Sequence, residues 1–85
     1  MQPLYEQLEK LDELSFCEEL RLCSAIRWAA TNRFSELNNF ERFLAQTLID
    51  ANNEILIQIL HDIKTNAKLY FFDLALKKIT RGKKS

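Results

Sequence analysis

Residues 37–51 read LNNFERFLAQTLIDA, and the spacing of their apolar members decides the fold class. Leu37, Phe40, Leu44, Leu48 and Ala51 recur every three or four residues. At about 100° per residue they fall within roughly 80° of arc, the signature of an α-helix with one buried face. The spacing predicts a helix from about 34 to 51.

Upstream, Leu4, Leu8, Leu11 and Leu14 form a second narrow stripe, predicting a helix that opens at Pro3 and ends at Ser15. Ser15 and Glu18 make a capping-box pattern, in which a hydroxyl and a carboxylate satisfy each other's backbone N–H groups. A new helix over 16–31 follows, with a stripe of Leu22, Cys23, Ala25, Ile26, Ala29 and Ala30, the alternative being one unbroken helix over 3–31. Trp28 lies at the stripe's edge, where it is expected to seal the core. Downstream, Asp50, Asn52 and Asn53 offer cap and turn chemistry before a last helix placed at 53–80, with Thr65-Asn66 as its one candidate interruption. The rival reading is one continuous helix over 34–80, because Leu37, Leu48, Ile59 and Tyr70 keep an 11-residue phase.

The rest of the composition agrees with this pattern. The only glycine and proline, Gly82 and Pro3, lie at the ends, so no interior position offers the residues that tight hairpins prefer. The expected fold is all-α: a single domain over 1–80, a small bundle of about four helices, followed by a basic, frayed tail at 81–85. The last helix is expected to be long and central, with a partner chain completing the core.

Partner completion is inferred from residues 69–79. On a helix, Tyr70, Phe71 and Leu74 occupy one side, and Phe72, Ala75, Leu76 and Ile79 another. A helix apolar nearly all round must be covered on two sides, and an 85-residue bundle readily covers one. Tyr70, Phe71, Phe72, Leu74, Leu76 and Ile79 are therefore the candidate partner-binding residues, facing a second copy of the chain or another protein.

Charge adds a second theme. The formal net charge is zero, but residues 1–20 carry six acids and one base, whereas residues 64–85 carry seven bases and one acid. Such a chain can pack its ends together or present opposite charges to partners.

Nucleic-acid binding is the alternative function. Ser35, Asn38, Asn39, Arg42 and Gln46 share the polar side of the third helix, and they are of the types that read base edges, while Lys83 and Lys84 could hold phosphate. Against it stand the zero net charge and the absence of a glycine from the preceding turn. A membrane surface ranks third among partners, behind protein and nucleic acid.

Catalysis is not expected. His61 is the only histidine and lies on a polar face with Glu54 and Asp50, without the Glu-x-x-His pairs of di-iron bundles. Two cysteines and one histidine make no zinc site, and Cys17 and Cys23 are read as two small buried apolar residues. No metal and no cofactor is expected. No uncharged run exceeds seven residues, too short to span a membrane, and no basic-then-apolar leader opens the chain. The expected location is cytoplasmic. The reading from sequence is a non-enzymatic interaction module: a small regulator, adaptor, chaperone or inhibitor, dimeric or part of a hetero-complex.

Overall fold

The computed structural model describes residues 4–81, and all regular structure among them is helical. Five α-helices follow in order: α1 (Leu4–Glu9), α2 (Phe16–Arg33), α3 (Asn39–Asp50), α4 (Asn53–Thr65) and α5 (Tyr70–Thr80). Short 3-10 turns precede α2, α3 and α5 at Leu11–Glu13, Phe34–Glu36 and Ala67–Leu69.

The helix starts are set by side chains that take up orphan N–H groups. Ser15 caps α2: its Oγ accepts from Glu18 N at 3.2 Å, and Glu18 Oε1 accepts from Ser15 N at 2.8 Å, completing the expected capping box. Asn38 does the same for α3 with Glu41, at 2.8 and 2.9 Å. Its backbone is extended, so α3 opens at Asn39 rather than near 34. Asn52 caps α4 through Ile55 N at 2.9 Å.

The last helix is not long and central. The chain breaks at Asn66, whose extended backbone (φ −120°, ψ 108°) interrupts the helix while its side chain accepts from Lys68 N at 2.9 Å. The interruption expected at Thr65-Asn66 thus divides residues 53–80 into α4 and α5, and the continuous 34–80 helix is excluded. The central element is α2, the longest helix at 18 residues, which packs against each of the other four. The first helix is also shorter than expected. It ends at Glu9, and Leu11 reaches the core from a 3-10 turn. Pro3 and most of the expected tail, from Gly82 on, lie outside the described residues.

The core has two parts. Leu8, Leu11, Leu22, Cys23, Ile26, Leu48, Leu56, Leu60 and Leu76 form the larger one. Ala29, Ala30, Leu37, Ala45 and Ile79 form the smaller one, where three alanines let α2, α3 and α5 approach closely. Five of the six residues in the expected α2 stripe are buried, Ala25 being half-buried. Trp28 is the exception to the sequence reading. It is 71% exposed and seals nothing. Cys17 is likewise exposed rather than buried, and only Cys23 belongs to the core. The acidic start and basic end of the chain pack together: Lys64 Nζ lies 3.9 Å from Asp12 and donates to Glu9 O at 3.1 Å, and the Arg81 guanidinium sits 5.1 Å from the centre of the Tyr5 ring.

Candidate functional site

α5 lies between α1 and α3, and its phase is now fixed. Ala75, Leu76, Ile79 and Thr80 point into the molecule, with Phe72 half-buried against the larger core. Tyr70, Phe71 and Leu74 occupy the opposite side within about 100° of arc, each half exposed (51, 50 and 50%). The six partner-binding candidates therefore divide. Leu76 and Ile79 are core residues of the chain itself, Phe72 is mostly committed to the core, and Tyr70, Phe71 and Leu74 are available.

The neighbouring helix enlarges this surface. Phe40, in the first turn of α3, meets Phe71 edge-on, with ring centres 5.4 Å apart and planes at 90°. Tyr70 meets the same ring at 4.5 Å. Phe43, one turn along α3 from Phe40, is 68% exposed. Four aromatic rings and Leu74 thus gather on adjoining faces of two helices. Edge-to-face packing orders Phe40, Phe71 and Tyr70 relative to one another and leaves about half of each ring to solvent.

Sequence reasoning missed Phe40 and Phe43. Phe40 was assigned to the buried stripe of α3, but the buried residues Leu44, Ala45 and Leu48 centre some 85° away from it. The available signal was Phe43 itself, a second large aromatic lying about 60° off the stripe on the side away from that centre.

Two of the polar residues singled out for nucleic acid make hydrogen bonds within the fold. Asn38 is the α3 cap. Arg42 donates from Nε to Phe34 O at 3.1 Å and from Nη2 to Ser35 O at 3.0 Å, and lies 5.8 Å from the centre of the Phe34 ring. It closes the turn that precedes α3. Asn39 is exposed, and Lys83 and Lys84 lie outside the described residues.

His61 does not pair with Asp50 or Glu54. It faces two other carboxylates, with Nδ1 3.4 Å from Asp12 and Nε2 3.5 Å from Glu19. Among the described residues no group of three or more His, Cys, Asp or Glu side chains is placed to hold a metal ion. None of their helices is long and apolar enough to cross a membrane. Burial pushes the Cys23 thiol above its ordinary range, and burial together with Asp73 does the same to Tyr5. Neither group is activated.

No family model, curated protein or solved structure matches this chain. Its surface has to be read from its own chemistry. Besides the aromatic patch, the described residues line open grooves, one of them between α1, α4 and α5 and two others on α2. Of the latter two, one, beside Trp28 and Ala25 on α2, is bordered by Leu4 and Thr80 at the edges of the described chain. The other, of about 560 Å³, lies between the first turns of α2 and α4.

Proposed function

We propose that this chain is a non-enzymatic protein-interaction module, and that its docking surface is the patch of Phe40, Phe43, Tyr70, Phe71 and Leu74. The observation that carries this reading is the gathering of four half-exposed or more fully exposed aromatic rings on two adjacent helices. Single exposed apolar residues are ordinary, whereas a contiguous aromatic group on a small folded chain forgoes several increments of roughly 1.5–3 kcal/mol that burial would return. Aromatic residues are also the types enriched at the centres of protein interfaces. The patch lies on helices rather than loops, so little conformational entropy would be lost when a partner covers it.

No observation favours nucleic acid in the same way, because Asn38 and Arg42 spend their hydrogen bonds within the fold.

The test is a benzophenone photo-crosslinker placed at position 71 in the native cell, with position 24, an exposed serine on α2, as the control. A discrete protein adduct from position 71 and none from position 24 is expected. Absence of any discrete adduct from positions 71, 40 and 74 would refute the proposal.

A further inference from the structure

The groove between α2 and α4 differs in charge from the aromatic patch. Its apolar lining comes from Phe16 and Leu20, one turn apart on α2, and from Ile57 on α4. Phe16 is 68% exposed. The charged lining is acidic only, Glu19 and Glu54.

The outward face of α5 is the counterpart. Tyr70, Phe71 and Leu74 stand at its start, and Lys77, Lys78 and Arg81 continue the same face toward its end, with Lys68 just before it. Three of these bases have partners within the chain: Lys77 is 3.5 Å from Asp73, Lys78 is 3.1 Å from Glu41, and Arg81 lies over the uncharged Tyr5 ring. Lys77, Lys78 and Arg81 against two acids still leave this face positive.

We infer that the occupant of the aromatic ridge is the α2/α4 groove of a second copy of this chain. This rests on the reading of the patch as a docking surface. Ridge-to-ridge pairing about a two-fold axis would bring two positive faces together, and like charges across an interface cost affinity. Ridge-to-groove pairing sets the bases of one copy against Glu19 and Glu54 of the next and places Tyr70 and Leu74, one helical turn apart, against Phe16, Leu20 and Ile57. That is helix-in-groove recognition with anchors at i and i+4. Such an interface joins two different surfaces, so it propagates as a ring or an open chain of subunits rather than closing as a symmetric dimer.

Sedimentation of deliberately half-disabled chains tests this. Phe71→Glu disables the ridge. Phe16→Lys combined with Glu54→Lys disables the groove. Helicity by circular dichroism checks folding, and Leu74→Glu replaces Phe71→Glu if that variant unfolds. The unmodified chain is expected to grow beyond a dimer with concentration, and to dissociate as salt is raised. Each disabled chain alone should be a monomer. An equimolar mixture of the two should form a 1:1 dimer and stop there, because only one ridge and one groove remain between them. A mixture that stays monomeric, or an unmodified chain that is monomeric at millimolar concentration, overturns the inference. If the crosslinker at position 71 captures a different protein while the purified chain is monomeric, self-association fails and the docking surface stands. If it captures nothing, both fail.

Discussion

Phe71 and Phe72 are adjacent, chemically identical, and placed on opposite sides of the core boundary, so glutamate at each position should give opposite phenotypes. Phe72 packs against the larger core cluster. Replacing it forfeits roughly 1.5–3 kcal/mol of burial, and a carboxylate pressed against that core adds a desolvation penalty of at least about 1–3 kcal/mol. Total stability for a chain of this length is on the order of 4–13 kcal/mol, so a combined loss of ~3–6 kcal/mol removes a large part of it. Phe71 is 50% exposed. It forfeits about half the burial increment, ~1 kcal/mol, together with its edge contacts to Phe40 and Tyr70, at ~0.5–1.5 kcal/mol each. At roughly 4–8 °C per kcal/mol, Phe71→Glu should lower Tm by about 10–30 °C and leave a helical protein. Phe72→Glu should lose its cooperative transition or melt near room temperature. Thermal melts followed by circular dichroism decide the matter. A larger loss at Phe71 than at Phe72 would refute the phase assigned to α5 and the surface built on it.

Arg42→Ala should cost ~1.5–3 kcal/mol, because two carbonyls lose a charged donor, and Tm should fall by roughly 10 °C or more. An unchanged Tm would mean that Arg42 is free for other work. Glu18 and Glu41 both have carboxyl groups held below the ordinary value, chiefly by the backbone N–H groups of Ser15 and Asn38. The unfolded chain therefore takes up protons first as pH falls, so their contribution is complete above pH about 4.5 and lost below it. Urea midpoints should drop across that range, and Glu18→Gln with Glu41→Gln should flatten the drop. A slope unaltered by both substitutions would count against the capping boxes as its source. Cys17 should react with a thiol reagent at once and Cys23 only on unfolding, because one is exposed and the other buried with its thiol pushed up. Two equal fast phases would contradict the placement of Cys23.

Some of this was legible in the sequence because the deciding groups are local. Ser15 and Glu18 settle a helix start between them, and Asn52 settles another, whatever the rest of the chain does. Asn38 and Glu41 form the same pattern with asparagine in place of serine. The run of apolar periodicity from Leu37 masked it and drew the expected start of α3 back toward residue 34. What stayed illegible was orientation. Residues 69–79 are apolar on nearly every side, so their pattern identifies a helix but not which side is core. Only the packing of α5 between α1 and α3 separates Leu76 from Leu74. The same holds for the long last helix. An 11-residue phase runs from Leu37 to Tyr70, yet the backbone is extended at Asn38, at Ala51 and Asn52, and again at Asn66, each asparagine held by its own side chain. Trp28 and Phe16 were invisible as surface residues because a large ring is ordinarily a core signal.

The seating of α1 against α5 bears on the order in which the molecule comes apart. Tyr5 and Arg81 touch across 76 positions of sequence. α1 offers six residues with one buried side chain, Leu8, and a helix so short is marginal in water by itself. The three helices that follow α2 are each 11 to 13 residues long and bury two to four side chains apiece. α1 is thus the element whose amides should exchange with solvent by sub-global opening, at a free energy well below that of α2. Each such opening bares Leu60, Ile63 and Leu76, which α1 otherwise covers through Tyr5 and Leu8.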